Sequence, residues 1–293
     1  MKEKTDVICA GQCVIDCITL GKEERPYKKD VYRADDIVLR LGGDASNEAR
    51  VLAAHGYRAA VAAGIGDDLA GNLICSELSA MGIDVSRIRR CVPSTPIAGI
   101  QVSRDGSRLS VNSGATRLPG CVIPPEDLCG ARVVSLASMF RPPLEDPEAV
   151  FAAVSAAKNS GALICADTKL PLLESVKLSG FFRVLPLIDY FLPNEKEAGF
   201  YSGEDDLPKM AAFFRDRGVG NVVIKAGPLG CYALGEEGGF SVPAAKVNVV
   251  DTTGAGDSFA AGFIMGLLEN ASFRECTELA IKQAGIAVSR IGA

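Results

Sequence analysis

Residues 251–263 read "DTTGAGDSFAAGF", and this stretch joins a glycine turn to the start of a predicted helix. Gly254 and Gly256 have no Cβ, so the backbone between them can turn its N–H groups toward a bound anion. A helix that begins near Asp257 adds free N–H donors and the positive end of its dipole. A carboxylate directly after such a site needs an explanation, because it would repel the anion.

A phosphoryl-transfer reaction explains the carboxylate of Asp257. The turn would hold the transferred group while the carboxylate faces the attacking hydroxyl, whose proton becomes acidic as the O–P bond forms. Such a base contributes about 10²–10⁴-fold in rate. The alternative is an ordinary helix N-terminus after turn-forming glycines. No Walker loop occurs in the sequence, and Phe259 occupies the third glycine position of a dinucleotide fingerprint.

Three motifs in order resemble the ribokinase-like, PfkB-type carbohydrate kinases. Residues 251–263 look like the C-terminal signature of that family, and "LGGDASNEARVLAAHG" (41–56) resembles its N-terminal Gly-Gly-x-x-x-Asn signature. "PNEKEA" (193–198) is similar to the Asn-x-x-Glu motif. The resemblance implies an ATP-dependent kinase that uses Mg²⁺ and phosphorylates a hydroxymethyl group of a sugar, sugar acid or nucleoside.

On the acceptor side, the resemblance implies that Asp257 is the catalytic base. The N–H groups of the turn would form an anion hole for the transferred group, contributed by Gly254, Ala255 and Gly256. Glycines before a helix permit close contact with a sugar, and an Asn side chain offers both a donor and an acceptor. The residues implied to bind the acceptor are Asp16, Gly42, Gly43, Asn47 and Asp167. The alternatives are a loop aspartate at Asp16 and a polar residue of a first helical turn at Asn47.

On the nucleotide side, "VIKAGPLGCYA" (223–233) resembles the family's nucleotide-binding strand and turn. The residues implied to bind nucleotide are Asn194, Lys225, Gly227, Gly230 and Gln283. Asn194 and Glu197 would act on Mg²⁺ partly through waters, because Mg²⁺ keeps several. Asp251 and Thr253 occupy positions that belong to a monovalent-cation loop in potassium-activated relatives, which implies K⁺ as a second ion.

The sequence departs from the family pattern at three places. Asp167 begins "DTKLP", where some relatives have Asp-x-Asn-x-Arg, so that Lys169 and Pro171 fill the last two places. A lysine replaces an arginine there only as a point charge. Thr116 stands where relatives often have Asn, and Gln283 stands near an adenine-side Asn. The chemistry therefore transfers from the family, whereas the identity of the acceptor does not.

Short apolar runs alternate with helix-period segments along the chain. This pattern predicts an α/β fold, with a doubly wound, mainly parallel sheet covered by helices on both faces. The predicted strands are 7–15, 59–63, 132–137, 162–167, 188–193 and 221–226, and the predicted helices are 44–55, 68–81, 146–159, 205–217, 257–269 and 272–289. Within this single domain, 1–293, two segments break the pattern and predict a small antiparallel β flap or lid: 17–41 and 95–116, the second with an Asp105-Gly106 turn.

Composition narrows the class of protein. The chain has 293 residues, 48% hydrophobic and 23% charged, and a net charge of −5 without basic clustering, which disfavours a nucleic-acid partner. No apolar stretch reaches the ~18–20 residues of a membrane helix. We therefore expect a cytoplasmic protein with a small-molecule substrate, and the resemblance implies a homodimer through the β flap.

The ten cysteines and the single histidine are expected to be structural. The sequence has no C-x-x-C motif, and most cysteines lie in apolar runs, which favours reduced packing residues over disulfides or a zinc site. His55 precedes a glycine at a predicted helix end, where it suits the helix dipole better than a catalytic role.

Three other functions stay open at this point. A non-catalytic sugar or nucleotide sensor of the same fold would have no need of Asp257. A dehydrogenase is disfavoured by the missing third glycine. A sugar-phosphate kinase needs a cationic cluster for a second phosphate, and none is evident in the sequence.

Overall fold

The computed structural model describes residues 5–22, 29, 31–103, 108–113 and 121–290. Its strands are β1 (Thr5–Ala10), β2 (Val14–Lys22), β3 (Asp36–Gly42), β4 (Ala59–Ile65), β5 (Asp84–Arg90), β6 (Ile97–Ser103), β7 (Arg108–Asn112), β8 (Ala131–Met139), β9 (Leu163–Thr168), β10 (Tyr190–Phe191), β11 (Asn221–Lys225), β12 (Cys231–Gly235) and β13 (Gly238–Val242). Its helices are α1 (Asp44–Ala54), α2 (Leu69–Ala80), α3 (Pro147–Asn159), α4 (Glu195–Ser202), α5 (Leu207–Arg215), α6 (Ala255–Leu268) and α7 (Phe273–Val288).

The main sheet has the order β13-β12-β11-β10-β9-β8-β1-β4-β5 within the described residues, and it is parallel from β11 to β5. Its strands are apolar on both faces. In β1, Ile8 and Ala10 join a core with α3, α4 and α5, whereas Val7 and Cys9 join a core with α1, α2, α6 and α7. The predicted doubly wound fold is therefore confirmed.

A second, smaller sheet has the order β3-β2-β6-β7. It contains the described parts of the two segments that break the α/β pattern. β3 and β7 pair antiparallel with their neighbours, as predicted for a flap, whereas the central pair β2–β6 is parallel. The predicted turn at Asp105-Gly106 lies outside the described residues.

The predicted strand 7–15 is wrong as one element. β1 ends at Ala10 in the main sheet, and β2 begins at Val14 in the small sheet. The chain leaves the main sheet at Gly11, where a Cβ would lie 2.8 Å from Ser138 Oγ. Asp16, which directly follows the predicted strand 7–15, therefore lies within β2 of the small sheet.

Other boundaries differ in ways that matter for the site. The predicted strand 188–193 is reduced to β10, because Asn194 caps a helix, α4, that was not predicted. The hairpin β12–β13 was not predicted either and forms the antiparallel edge of the main sheet.

Helices α6 and α7 pack closely through two glycines that the sequence placed inside a helix. A Cβ at Gly262 would lie 2.7 Å from Gln283 Cβ, and one at Gly266 would lie 2.8 Å from Cys276 Cα. Each glycine costs about 1 kcal/mol of helix propensity relative to alanine. That cost is offset by the close approach of the two helices.

Two cysteines differ from the expectation. Cys91 and Cys121 form a disulfide, with Cα atoms 5.9 Å apart, so the prediction of reduced cysteines is wrong for this pair. Their separation of 30 residues gives no local signal in the sequence. The other eight are free, and no cluster of three or more His, Cys, Asp or Glu that could hold a metal occurs in the part of the chain that the structure describes.

His55 ends α1, and its Nδ1 lies 2.8 Å from the carbonyl oxygen of Val51. Its position agrees with the structural role expected from the sequence. Over the described ranges, none of the helices combines the length and the apolar character that crossing a bilayer requires.

Candidate active site

A cavity of about 790 Å³ opens at the carboxyl ends of β9 and β11. The N-terminal ends of α1, α4 and α6 point into the same region, so helix dipoles and free N–H groups face it. Ligands of open α/β sheets bind at this edge. The polar side chains on its wall belong to Asp44, Asn47, Asp167, Thr168, Lys169, Asn194, Glu197, Lys225, Lys246, Thr252, Thr253 and Asp257.

Asp257 lies in the first turn of α6 and is 6% exposed. Its Oδ2 accepts a 2.7 Å hydrogen bond from Asn47 Nδ2, which joins α6 to α1. Burial, and then the charge of Asp44, raise the pKa of Asp257 to about 7, against the opposing charge of Lys169 and the Asn47 hydrogen bond. A carboxyl group with that pKa can both accept and release a proton near neutral pH.

The glycine turn before α6 has the shape expected of an anion site. Gly254 has φ 70°, in the left-handed region that favours glycine, and it caps α6 without a side-chain hydrogen bond. Gly254, Ala255 and Gly256 all lie on the cavity wall. A Cβ at Gly256 would lie 3.5 Å from Lys225 Nζ, so a cationic side chain reaches the turn.

Asp167 and Lys225 form a buried ion pair across the ends of β9 and β11. Lys225 Nζ donates to Asp167 Oδ2 at 2.5 Å, and the backbone N–H of Thr168 donates to Oδ1 at 2.7 Å. Burial raises the pKa of Asp167, opposed by the charges of Lys225 and Lys169. Asp167, expected on the acceptor side, thus contacts the lysine expected on the nucleotide side.

Asn194 and Glu197 form a capping box at the start of α4. Asn194 Oδ1 accepts from the Glu197 backbone N–H at 2.9 Å, and Glu197 Oε2 accepts from the Asn194 backbone N–H at 3.1 Å. Thr168 Oγ1 also donates to Glu197 Oε2 at 2.8 Å. Burial, and then the charge of Asp167, raise the pKa of Glu197. Two buried carboxyl groups therefore lie close together on this wall.

Asp16, Gly42 and Gly43 lie beside the cavity but are not on its wall. A Cβ at Gly42 would clash with the Asp16 carboxylate, and Gly43, at φ 92°, approaches the Gln12 carbonyl too closely for a Cβ. The paired glycines thus let β2 approach the start of α1. Asp16 is held next to the element that carries Asn47.

Not all of the residues expected to bind K⁺ and the nucleotide line the cavity. Thr253 donates from its backbone N–H and its hydroxyl to Asp251 Oδ1, at 2.9 and 2.7 Å. Thr253 lines the cavity, whereas Asp251 does not. Gly227 and Gly230 both line it, with φ values of 54° and 91°.

The expectation that Gln283 binds the nucleotide is corrected. It does not line the cavity, because its Cβ packs against Gly262 of α6. The wall on this side is instead apolar and comes from the other face of α7, with Ile281, Ala284, Gly285 and Val288. Their i, i+3, i+4, i+7 spacing could have indicated this face from the sequence.

Three further charged residues of the cavity wall were not assigned to the site from the sequence alone: Asp44, Lys169 and Lys246. Asp44 follows the paired glycines directly, and its Oδ1 lies 3.1 Å from Lys169 Nζ. Both line the cavity, with Asn47 and Asp257. Lys169 is a departure from the family pattern in the sequence, and in the structure it forms an ion pair with Asp44.

A family model described as "pfkB family carbohydrate kinase" matches residues 4–293. The chain belongs to this family. It is 30% identical to a ribokinase of Haemophilus influenzae over 263 residues, covering 87% of this chain and 83% of the relative. It is 27% identical to a 2-dehydro-3-deoxygluconokinase of Bacillus subtilis over 282 residues, covering 90% and 86%.

The solved structures agree on the fold. An Arabidopsis thaliana ribokinase, described in complex with ribose and ATP, superposes with a TM-score of 0.82 at 22% identity, covering 99% of this chain and 94% of that one. Together with the family match over residues 4–293, the ribokinase relative shows that the chain is a carbohydrate kinase of the pfkB family. Its relatives carry the names of several different sugar kinases, so membership in the pfkB family does not select one acceptor.

Proposed function

We propose that this pfkB-family kinase transfers a phosphoryl group from ATP to a hydroxymethyl group of a sugar, sugar acid or nucleoside. The observation that carries the proposal is the buried carboxyl group of Asp257, held by Asn47 next to the glycine turn of α6. A sensor of the same fold has no use for such a base. The relative described with ribose and ATP supports ATP as the donor.

In this mechanism Asp257 is the general base. The acceptor hydroxyl attacks the γ-phosphorus, the bond from phosphorus to the ADP oxygen breaks, and the hydroxyl proton moves to the Asp257 carboxylate. Asp16, Asn47 and the backbone at Gly42 and Gly43 would position the acceptor. Positioning contributes more than basicity, because an alcohol loses its proton only late in the transfer.

The turn at Gly254, Ala255 and Gly256 would hold the charge that develops on the transferred group. Its amides are fixed before the reaction by the αL residue and the helix start, so little reorganisation is needed. Lys225 reaches the same place and would contact the phosphates. Asp167 would hold Lys225 in that orientation and so act between the two substrates.

Mg²⁺ fits the residues at the start of α4. Asp167 and Glu197 are buried carboxyl groups that oppose each other's charge, and a dication relieves that repulsion. Asn194 and Glu197 would hold the ion, partly through waters, as Mg²⁺ prefers. When bound, Mg²⁺ supplies charge neutralisation at the phosphates.

The turn of Asp251 and Thr253 is proposed as the site of a potassium ion. Its carboxylate and hydroxyl oxygens are already ordered by their mutual hydrogen bonds. We expect the reaction to be faster in K⁺ than in Na⁺ at constant ionic strength. Equal rates in the two salts would contradict a potassium site at this turn.

The nucleotide base would lie between the glycine turn after β11 and the apolar face of α7. Gly227 and Gly230 let the backbone come close to it, and Ala284 and Gly285 contribute small residues to the α7 side of the wall. Gln283 has no part in this site. Because the donor would be ATP, we place the reaction in the cytoplasm.

We infer that residues 1–293 act as one catalytic unit, with segments 17–41 and 95–116 as its lid, and that the lid also forms a homodimer. Paired residues share one face of the small sheet, and on this face four apolar side chains are 59–64% exposed: Ile37, Leu39, Leu109 and Val111. Sedimentation should show a dimer that Leu39→Asp converts to a monomer. A monomeric wild-type protein would contradict the inference.

The function is tested by ATP-dependent phosphorylation across a panel of sugars, sugar acids and nucleosides. We expect turnover with at least one of them and loss of at least ~10²-fold in Asp257→Asn. If compounds of the panel raise the melting temperature of the protein but none is phosphorylated, the sensor is favoured. A ligand that binds the native state stabilises that state whether or not it reacts.

A further inference from the structure

The turn after β8 has a strained backbone and carries Arg141, which interacts with the charges of Asp44 and Glu197 but is not itself on the cavity wall. Phe140 has φ 74°, a conformation that is rare for a bulky residue and costs about 1–3 kcal/mol. Its ring is fully buried against Phe181 and Tyr201, which offsets that cost. The turn closes through a 2.6 Å hydrogen bond from the Leu144 N–H to the Arg141 carbonyl. The backbone at Arg141 is therefore held in one conformation.

Arg141 is half-buried and has no carboxylate within ion-pair distance among the described residues. Its Nε donates to the Leu170 carbonyl, which leaves most of its five N–H donors for another acceptor. The acidic groups that face it are Asp44, Glu145 and Glu197. Burial lowers the pKa of Arg141, and it also favours the neutral form of Glu145 by raising the pKa of that group. Arginine stays charged under these conditions.

Lys169 lies next to the same carboxylate. Its Nζ is 3.1 Å from Asp44 Oδ1, at the start of α1 and on the cavity wall. The charge of Asp44 raises the pKa of Lys169, so the ammonium form persists. Two cations, Arg141 and Lys169, thus face one carboxylate, and the positive end of the α1 dipole lies beside them.

We propose that the acceptor carries an anionic group, a carboxylate or a phosphate, and that Arg141 and Lys169 bind it beside Asp44. This inference rests on the proposed kinase function and names the class of its acceptor. The bonds that form and break in the transfer are unchanged. The guanidinium would contribute a bidentate contact, which matches the geometry of both anionic groups, and Lys169 would contribute a point charge.

The sequence hides this cluster because Arg141 follows β8 and Lys169 follows β9. The two strands are neighbours in the main sheet, and parallel strands bring their carboxyl ends to one edge. No cationic cluster is evident in the sequence, whereas the folded chain places Arg141 and Lys169 near the same carboxylate.

The test measures kcat/KM for three matched groups of acceptors: neutral sugars, the corresponding sugar acids, and sugar phosphates. We expect one anionic group to exceed the neutral sugars by about 10–100-fold, the size of one charge-assisted contact. Preference for the acids identifies a carboxylate, and preference for the phosphates identifies a phosphate. Equal or better turnover of neutral sugars overturns this inference and leaves the kinase function intact. A complete lack of turnover with all three groups, and with the nucleosides of the functional panel, overturns both.

Variants then assign the preference to residues. Arg141→Gln should lower the ratio of anionic to neutral kcat/KM by about 10–100-fold, mostly through KM, and Arg141→Lys should restore part of it. Arg183→Gln, on an exposed arginine that pairs with Glu148, should leave the ratio unchanged. If Arg141→Gln lowers kcat/KM equally for anionic and neutral acceptors, Arg141 only holds the Leu170 segment and the inference is wrong.

Folding and direct binding are checked separately. Each variant is compared with the wild type by thermal melting, and Lys169→Gln replaces Arg141→Gln if the latter does not fold. Calorimetric binding of the preferred acceptor without nucleotide should weaken with added salt, since the contact is ionic. Binding that salt does not affect would also overturn the inference.

Discussion

Asn47 Nδ2 donates a 2.7 Å hydrogen bond to Asp257 Oδ2, while Asn47 Oδ1 is buried without a partner among the described residues. A buried carbonyl oxygen without a donor is costly. A hydroxyl of the acceptor would supply that donor. One amide can thus hold the base with one atom and the acceptor with the other, which places the hydroxyl next to the carboxylate.

The first prediction concerns the base itself. Asp257→Asn should keep acceptor binding, because the amide oxygen still accepts from Asn47, yet it cannot take a proton. Turnover should fall at least ~10²-fold with little change in the acceptor Kd. Steady-state kinetics and calorimetry measure the two quantities. Near-native turnover would exclude Asp257 as the base.

The second prediction is the pH dependence of activity. The base must be ionised, and its pKa is about 7, so kcat/KM should fall as the pH drops through about 7. Asn47→Ala removes a hydrogen bond that favours the ionised form, so the acid limb should move to higher pH. The residual activity of Asp257→Asn is the control and should lack this limb. An acid limb near pH 4 in the wild type would contradict the raised pKa.

The third prediction links the same carboxyl group to stability. Its pKa rises from about 3.9 in the unfolded chain to about 7 in the folded one. The stability it contributes is therefore complete below about pH 4 and is lost as the pH rises through about 7. The amide introduced by Asp257→Asn does not titrate, so this variant should become more stable relative to the wild type over that range, by at most about 4 kcal/mol.

Melting temperatures of the two proteins from pH 5 to pH 8 measure this effect. Their difference should grow with pH and level off above about 7. A constant difference would show that the carboxyl group is not strained by burial. The gain in stability together with the loss of turnover would be the usual trade-off at an active site.

The sequence predicts those parts of the fold that depend on local pattern. Helix 44–55 was expected and α1 is Asp44–Ala54, because glycine and apolar spacing mark both ends. Helix 257–269 was expected and α6 is Ala255–Leu268. Gly262 and Gly266 fall inside this predicted helix, and in the structure both lie close to α7.

The parts that could not be predicted depend on contacts between distant segments. The continuous apolar run 7–15 gives no sign that β1 and β2 belong to different sheets. The parallel pairing of β2 with β6 and the disulfide of Cys91 with Cys121 likewise have no local signal. In the site, Asn47 meets Asp257 across 210 residues, so motifs could suggest this pair but not its geometry.

The fourth prediction concerns the ion pair of Asp167 and Lys225, whose side chains are 5% and 13% exposed. Lys225→Met leaves a buried carboxylate without its partner and should cost about 3–5 kcal/mol of unfolding free energy. In the Asp167→Asn background the same change should cost less, because no charge is left unpaired. A double-mutant cycle by urea unfolding gives the coupling energy.

The exposed pair Arg183–Glu148 is the matched control for that cycle, and its coupling should not exceed about 1 kcal/mol. Lys225→Met should also raise the KM for ATP more than the KM for the acceptor, because Lys225 Nζ reaches the glycine turn of α6. Additive effects in the buried pair, or an equal change in both KM values, would mean that Asp167 does not hold Lys225 for the phosphates.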